Sequence, residues 1–359
     1  MRTLLPHAEL RDIALRPAAT ARVWLGAGMP LETVAVPGVA LAAGDALVAV
    51  ELSTICGSDV HTARGDRPSP MPAVLGHESI GRVIALGDGG AQTVDGGDLR
   101  VGDRVVWSVT VSCGTCDRCA SGMTQKCRSL AKYGHERIEP RWELTGGFAS
   151  HVHLRRGTAI VRAPESLPAA VLAPASCATA TAWAAVARAG RELDGVPVRV
   201  YGAGLVGLTA AAIAADLGAR VTVVDPSDER RRLAERFGAE PGAGVGAPKV
   251  VIEASGHAVA QAIDEVDVGG TVVLVGSVFP AAAVALDAED VVRRLITITG
   301  VHNYGGADLS AAVGFLAGRG RAYPFGDVVG AVHPLADADA ALAAAAAPGA
   351  PLRIGLTPR

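Results

Sequence analysis

The chain has 359 residues, half of them hydrophobic, and a formal net charge of −3 at pH 7. This length has room for two domains and a sizeable core. The charge provides no basic surface for nucleic acid or anionic lipid, and no apolar run of about eighteen residues predicts a transmembrane helix. We therefore expect no nucleic-acid or membrane partner. Because the first twenty or so residues carry charges throughout and lack the apolar core of a signal peptide, we expect a cytoplasmic protein.

The pattern of hydrophobic residues changes along the chain. Roughly the first 160 residues alternate short β-forming runs with glycine and proline turns, which predicts an antiparallel or barrel-like β domain. From Val196 onward, strands rich in Val and Ile alternate with helical segments, beginning with VRVYGAG, LVGLTAAAIAADLGA and RVTVVDP. This alternation predicts a doubly wound parallel sheet, an α/β fold. About sixty C-terminal residues return to helix and short strand.

One strand and helix of the parallel sheet have less sequence than expected. Between the helix that ends near Gly238 and the strand at Val250 lies only AEPGAGVGAPK, residues 239–249. A complete dinucleotide-binding sheet places another strand and helix there. The sequence therefore predicts that this strand and helix are missing or reduced to a loop, and it leaves the effect on the adenine pocket open.

A glycine motif, GAGLVG, follows the first strand of this sheet and begins a helix. The glycines permit a tight turn and close approach of a pyrophosphate, and the helix N-terminus offers N–H groups to phosphates. Asp225, about twenty residues later, can accept hydrogen bonds from ribose hydroxyls and would repel a 2′-phosphate, which favours NAD over NADP. The alternative is a glycine turn without nucleotide, with Arg230 as an ordinary helix charge. The predicted cofactor-binding residues are Gly202, Gly204, Leu205, Val206, Gly207, Asp225 and Arg230.

The six cysteines divide into a cluster of four and two isolated residues. Four thiolates with the spacing of the cluster can close a tetrahedron around Zn²⁺ within one loop, and a closed Cys₄ site would be structural. The alternative is a pair of disulfides, which requires an oxidising compartment. The cluster consists of Cys113, Cys116, Cys119 and Cys127.

Cys56, His77 and Cys177 offer a second set of metal ligands. Two thiolates and an imidazole are ligands of a type that leaves a catalytic zinc one open position for water or substrate. Spacing alone does not show that these residues are neighbours. His77 could instead be a hydrogen-bonded residue at a strand start, and Cys177 a small buried residue at the start of an alanine-rich helix.

Taken together, the motifs resemble those of the zinc-dependent medium-chain alcohol and polyol dehydrogenases. The resemblance runs from about Ala21 to the C-terminus, and rests on CGSDVH, GHE, VGDRV, the four-cysteine loop, CATATAW, the glycine motif and the acidic residue after it. It implies a GroES-like β catalytic domain at residues 1–165 and 301–359, with a structural zinc lobe at about 113–127. It also implies a Rossmann NAD-binding domain at residues 166–300, and a homodimer or homotetramer.

The resemblance assigns roles to individual residues. Cys56, His77 and Cys177 match the catalytic zinc ligands, and the four-cysteine loop matches a structural zinc, giving two Zn²⁺ per subunit. Asp59 sits where the family keeps a carboxylate near the metal. The implied catalytic residues are Ser58, which contacts the substrate oxygen, His61, which ends a proton relay to solvent, and Glu78, which can approach the metal.

The implied activity is hydride transfer between NAD(H) and a small polar alcohol or carbonyl compound, with zinc as a Lewis acid. Segments such as KYGHE and GVHNY are similar to a subgroup associated with phosphonate metabolism, and related enzymes act on polyols and cyclitols. Two alternatives are an NAD(H)- and metal-binding redox sensor and a non-catalytic family member; the presence of Ser58, His61 and every catalytic ligand argues against both. The candidate substrate contacts are Lys132, Tyr133, His135 and Asn303, although Lys132 could instead be a surface charge.

Overall fold

The computed structural model describes residues 10–242 and 246–358. They form two compact units, one that ends at Ser176 and resumes at Val329, and one that spans Cys177–Val328. The domain limits expected from the sequence, 165/166 and 300/301, both lie earlier in the chain than these junctions. The difference arises because the segment up to Ser176 packs against the first unit's sheet, and the helix that begins at Gly306 packs within the second unit.

The strands and helices alternate with many tight turns. The strands are β1 Arg11–Trp24, β2 Glu32–Leu41, β3 Ala46–Ile55, β4 Ala73–Val74, β5 Glu78–Leu86, β6 Arg104–Val111, β7 Ala131–Lys132, β8 His151–Leu154, β9 Thr158–Arg162, β10 Pro197–Tyr201, β11 Arg220–Val224, β12 Val250–Glu253, β13 Thr271–Leu274, β14 Thr297–Gly300, β15 Val329–Pro334 and β16 Arg353–Thr357. The α-helices are α1 Gly57–Arg64, α2 Asp117–Ala120, α3 Ala169–Leu172, α4 Ala178–Ala187, α5 Leu205–Asp216, α6 Asp228–Arg236, α7 Val259–Glu265, α8 Ala288–Arg294, α9 Gly306–Ala317 and α10 Ala338–Ala345. Short 3₁₀ turns lie at Thr124–Lys126, Ala173–Ser176, Arg319–Ala322, Phe325–Asp327 and Leu335–Asp337.

The first unit is built from two β-sheets. A small antiparallel sheet has the order β2-β1-β4, and a larger sheet has the order β15-β16-β3-β5-β6-β7, with β8 paired to β3 and β9 to β6. All pairs in the larger sheet are antiparallel except β15–β16. This is the β domain that the turn-rich sequence predicts. The C-terminal strand β16 lies beside β3, so residues from the two ends of the chain meet in one sheet.

The second unit contains a five-stranded parallel sheet with the order β11-β10-β12-β13-β14. Its strands are mostly buried valine and isoleucine, as expected for a parallel sheet with helices on its faces. The ring of Trp183 in α4 packs against that of Phe315 in α9, with centroids 6.2 Å apart. The predicted doubly wound α/β architecture is confirmed.

The shortened segment between α6 and β12, residues 239–249, lies at the edge of this sheet. Among the described residues, no strand or helix lies between α6 and β12, and residues 243–245 of the shortened segment lie outside the described part. Ala239 forms an isolated parallel bridge with Val221, and the Glu240 N–H donates to the Val221 carbonyl at 2.7 Å. The strand that would follow α6 is therefore reduced to one bridge on β11.

Within the described ranges, no single helix is long and apolar enough to cross a membrane. One bent pair of short helical segments, Ala169–Ser176 and Ala178–Ala187, passes the same test of length and composition when the two are taken together.

Two helical glycines of the second unit give a matched pair of variants. A Cβ on Gly207 in α5 would lie 1.9 Å from the Gly202 carbonyl oxygen, whereas a Cβ on Gly314 in α9 would meet no atom within 4 Å. We expect Gly207→Ala to lower the midpoint of thermal unfolding by several degrees. Gly314→Ala should raise it, because alanine stabilises a helix by about 1 kcal/mol relative to glycine. Circular-dichroism melting checks both, and similar shifts of one sign would contradict the expectation.

Candidate active site

The turn from β3 into α1 carries the first group of predicted site residues. Cys56 is the N-cap residue of α1, and its N–H donates to the Asp59 carboxylate at 2.9 Å. Helix α1 ends at Arg64 and is capped by Gly65, whose φ of 82° favours glycine. Ser58 lies in the first turn of the helix and His61 one turn later. The local sequence thus places a thiol, a hydroxyl and an imidazole at the end of β3.

The loop before β5 brings His77 to the same place. Gly76 has a φ of 87°, and its N–H donates to Asp59 Oδ1 at 3.1 Å. Nδ1 of His77 lies 3.4 Å from the same Oδ1, and its Nε2 lies 3.3 Å from the Ser58 hydroxyl. Burial opposes the charged form of His77, but the Asp59 carboxylate outweighs it and raises the pKa of the imidazole. Asp59 therefore ties the Cys56 turn and the His77 loop together.

Glu78 is held in a fixed orientation by a buried arginine. Arg353 donates from Nε and Nη2 to the two carboxylate oxygens of Glu78 at 2.6 and 2.7 Å, and the Thr54 hydroxyl donates at 2.6 Å. Arg353 Nη2 also lies 3.7 Å from the Cys56 sulfur. Burial raises the pKa of Glu78, although Arg353 opposes this effect. No sequence motif identifies Arg353, because it lies 275 positions from Glu78 in the chain.

Four metal-ligating side chains converge at this point. Cys56, His77, Glu78 and Cys177 each offer one ligand atom, and these atoms all lie within 4.8 Å of one another. The peptide bond before Cys177 joins it to Ser176, whose hydroxyl donates to the His77 carbonyl at 3.0 Å. Two thiols, an imidazole and a carboxylate are donors that suit Zn²⁺. The residues present therefore fit a zinc ion. Their ligand atoms are neighbours in the structure, which the sequence alone could not show.

The four cysteines of the loop form a second convergent set. Their sulfur atoms also lie within 4.8 Å of one another, and all six cysteines of the chain are free thiols. The Cys113–Cys127 sulfur separation is 3.4 Å, and the Cys116 N–H donates to the Cys113 sulfur. Hydrogen bonds from Thr115 and from the Cys116 N–H lower the pKa of Cys113 to about 5. A preformed cage of four sulfurs, one of them favoured as thiolate, fits a structural zinc.

The glycine motif lies between β10 and α5, as predicted. Gly202 has a φ of 95°, and a Cβ there would come within 3.0 Å of the Ser255 backbone. Gly204 is the N-cap of α5, and a Cβ there would meet nothing within 4 Å, so a ligand could approach. Asp225 accepts hydrogen bonds from the Ala203 N–H at 2.8 Å and from the Ser227 N–H at 2.9 Å. Its carboxylate therefore lies beside the glycine turn.

A cavity of about 540 Å³ opens next to Asp225. It is lined by the end of β11, by α6 and by the chain just after α6, and includes Arg231 and Arg232. Arg230, predicted to contact the cofactor, is not among the residues that line it. The Arg231 guanidinium contacts the Asp225 carbonyl and the Asp228 carboxylate.

The remaining predicted residues fall into different environments. Tyr133 lies in the core, 1% exposed, with its hydroxyl bonded to Thr158 and to the Arg155 N–H, so it is not available to a substrate. His61 is half exposed, and its Nδ1 lies 2.9 Å from an Asp66 oxygen. His135 packs on His77 with ring centroids 4.8 Å apart, and Lys132 is half-buried on β7. Asn303, in the second unit, has a φ of 59°. Its side-chain nitrogen is buried and has no hydrogen-bond partner among the described residues.

Comparison with known proteins gives consistent matches for both units. A profile described as "Alcohol dehydrogenase GroES-like domain" matches residues 42–165, and one described as "Zinc-binding dehydrogenase" matches residues 206–318. L-threonine 3-dehydrogenase of Aeromonas salmonicida is 30% identical over 292 residues, which are 74% of this chain and 79% of the relative. The corresponding protein of Deinococcus deserti is 32% identical over 284 residues, 72% of this chain and 76% of its own.

Solved structures give the same result. An alcohol dehydrogenase of Thermotoga maritima superimposes with a TM-score of 0.85 at 27% identity, covering 95% of this chain and 99% of its own. A putative zinc-binding dehydrogenase of Sinorhizobium meliloti, solved with NADP, gives a TM-score of 0.80 at 26% identity and covers 95% and 99% of the two chains.

The Glu78–Arg353 pair gives a testable energetic expectation. Arg353→Met removes one partner and leaves a buried, uncompensated carboxylate, which should lower the free energy of unfolding by about 3–5 kcal/mol. The control is Arg293→Met, because the Arg293–Glu289 pair is exposed and should contribute little. The double variant Glu78→Gln with Arg353→Met should recover part of the loss. Urea unfolding followed by fluorescence measures these differences, and equal losses for the two single variants would refute the expectation.

Proposed function

Because the chain belongs to the zinc-dependent medium-chain dehydrogenase family, we propose that it transfers a hydride between NAD(H) and a small polar alcohol or carbonyl compound. It is an alcohol dehydrogenase-type oxidoreductase, and the candidate substrates are polyols, cyclitols and phosphonate alcohols. The observation that carries the proposal is the convergence of Cys56, His77 and Cys177 beside Ser58. A zinc held by these ligands would act as a Lewis acid on the substrate oxygen, and the nicotinamide would exchange the hydride.

The chain's own residues have separate tasks in this reaction. The Ser58 hydroxyl, 3.3 Å from His77 Nε2, lies where it can hydrogen-bond the substrate hydroxyl and take its proton. His61 lies three residues further along α1, on the same helix face, and is exposed enough to pass a proton to solvent. The Asp59 carboxylate, with Oδ1 3.4 Å from His77 Nδ1, lies where its charge can orient the ring. Arg353 keeps Glu78 beside the ligand sulfur of Cys56.

The cofactor proposed is NAD. The glycine turn leaves space above Gly204 for a pyrophosphate, and the Asp225 carboxylate next to the turn can accept hydrogen bonds from ribose hydroxyls. The same carboxylate would repel a 2′-phosphate. Arg231 and Arg232, which line the adjacent cavity, would favour such a phosphate, so NAD and NADP must be compared directly. Two zinc ions per chain are proposed, one for each convergent ligand set.

The test combines turnover with metal content. We expect purified protein to contain two zinc ions per chain and to reduce NAD⁺ with at least one alcohol from a panel of polyols, cyclitols, phosphonate alcohols and simple alcohols. Cys56→Ala should lose turnover and one zinc while the fold stays intact, because the substitution keeps the Cys56 backbone N–H that donates to Asp59. Cys116→Ala, the matched control, should lose the other zinc and melt at a lower temperature.

Nicotinamide absorbance and elemental analysis supply the two readouts. Undiminished turnover by Cys56→Ala would overturn the proposed mechanism. One zinc or none in unchelated protein would overturn the two-site proposal, and a preference for NADP⁺ would overturn the assignment of the cofactor.

A homo-oligomer, dimer or tetramer, is also proposed. Among the described residues β14 pairs only with β13, so its other edge is available to a second copy. Large apolar side chains close to β14 in sequence are exposed, including Leu286 (55%), Val292 (70%) and Leu295 (72%). Exposed apolar residues clustered beside a strand edge are typical of an interface between subunits.

Charge placed on this surface should weaken the assembly. We expect Leu286→Asp combined with Val292→Asp to shift the protein toward monomer in sedimentation equilibrium, because a buried unpaired carboxylate disfavours the interface. Val332→Asp, at an exposed valine of β15 in the first unit, is the control and should leave the assembly unchanged. A monomeric unsubstituted protein, or equal effects of the two changes, would contradict the proposal.

A further inference from the structure

We propose that Asp66 is a positioning residue for the proton relay. Its carboxylate fixes the His61 imidazole in the Nδ1–H tautomer, so that Nε2 is the ring atom that receives the proton released by the substrate. This inference rests on the proposed function and deepens it, because it names the group that prepares His61 for its task. Asp66 lies five residues beyond His61, outside the CGSDVH segment.

The turn after α1 brings Asp66 back to His61. The Asp66 N–H donates to the His61 carbonyl at 2.9 Å, and the Gly65 N–H donates to the Thr62 carbonyl at 3.0 Å. Together with the left-handed conformation of Gly65, these two bonds form the Schellman motif that ends many helices. A Cβ on Gly65 would lie 2.7 Å from the Ala27 Cβ, so the turn requires glycine. The local sequence therefore folds the chain back over the last turn of α1.

The side chains of Asp66 and His61 are in contact. Asp66 Oδ2 lies 2.9 Å from His61 Nδ1, a normal hydrogen-bond distance. Both side chains are about half exposed. In the described part of the chain, no other side chain forms a hydrogen bond or an ion pair with the Asp66 carboxylate. Arg64, two residues earlier, donates to the Ala346 carbonyl instead. The Asp66 carboxylate is thus committed to one ring nitrogen of His61.

The chemistry of the two groups decides which ring nitrogen carries the hydrogen. An ionised carboxylate only accepts hydrogen bonds, so the neutral His61 ring must donate from Nδ1–H. Nε2 then carries no hydrogen and is the acceptor. In the proposed reaction one proton from the substrate hydroxyl reaches Nε2, and one proton leaves the imidazolium to water. Asp66 neither gains nor loses a proton, and it orients the ring as the aspartate of a Ser-His-Asp triad does.

A role in stability alone would give a different result from a role in proton transfer. An exposed ion pair contributes little to stability, because solvent and salt screen it. Without the carboxylate, the His61 ring could rotate and populate the Nε2–H tautomer, which has no acceptor at Nε2. Loss of the Asp66 carboxylate should therefore leave the melting temperature unchanged and slow the reaction.

Single-turnover kinetics of the zinc-loaded protein measure the effect on the reaction. With an alcohol that the protein oxidises, Asp66→Ala should slow NADH formation roughly 5- to 20-fold, a part of what a general base contributes. The KM values for the alcohol and for NAD⁺ should stay within about twofold. Asp66→Glu keeps a carboxylate and should recover part of the rate, as should added imidazole buffer. Asp88→Ala, at an exposed aspartate of the same unit, is the matched control and should react at the unsubstituted rate.

A double-mutant cycle with His61→Gln connects the effect to the histidine. In the His61→Gln background, Asp66→Ala should cause no further loss of rate, because the residue on which Asp66 acts is already absent. The same loss in both backgrounds would show that Asp66 acts independently of His61 and would overturn the proposal.

NMR of protein labelled with ¹⁵N-histidine determines the tautomer without turnover. At a pH where the ring is neutral, the His61 signals, assigned by their loss in His61→Gln, should show the Nδ1–H tautomer. In Asp66→Ala they should show a mixture that includes Nε2–H. An Nε2–H tautomer in the unsubstituted protein, or an undiminished single-turnover rate in Asp66→Ala, would refute the proposal. A tautomer that depends on Asp66, in a protein that oxidises no alcohol, would support the positioning of His61 and count against the dehydrogenase activity.

Discussion

The arrangement of Cys56 and His77 depends on the hydrogen bonds and the charge of the Asp59 carboxylate. This carboxylate is fully buried, and it accepts hydrogen bonds from Cys56 N–H and Gly76 N–H, while its Oδ1 faces Nδ1 of His77. These groups belong to two separate loops, one after β3 and one before β5. A buried carboxylate is stable only when such donors surround it. The same contacts that satisfy Asp59 therefore fix the separation of a thiol and an imidazole.

The Glu78–Arg353 pair adds a constraint from the far end of the chain. β16 lies antiparallel to β3, with Ile354 opposite Ile55, and this register brings Arg353 to the site. Burying two charges is costly, but the bidentate geometry and the Thr54 hydroxyl satisfy the carboxylate. Glu78 is therefore held in place only when β16 pairs with β3 in this register.

The sequence best predicts those parts of the site whose residues all lie in one short segment of the chain. The four-cysteine loop and the glycine turn draw their residues from single stretches, so spacing and turn chemistry suffice. Arg353 could not be found in this way, because its role depends on the pairing of β16 with β3, which brings it to Glu78. The KYGHE motif predicts that Tyr133 contacts the substrate, yet the Tyr133 side chain lies in the core of the β domain. The alternation of buried and exposed residues is not visible around a two-residue strand, so the sequence does not show this.

Two strands of the parallel sheet next to the shortened segment 239–249 carry polar side chains. Strands covered by helices on both faces are normally almost wholly apolar. Here β10 and β11 carry Arg199 and Thr222, with Nε and Oγ1 3.5 Å apart, and Glu265 of α7 pairs with Arg199. These polar side chains satisfy one another, and α7 supplies the carboxylate that pairs with Arg199. In the proposed function the nucleotide is recognised by the glycine turn and by Asp225, which are joined by the hydrogen bond from the Ala203 N–H to the Asp225 carboxylate.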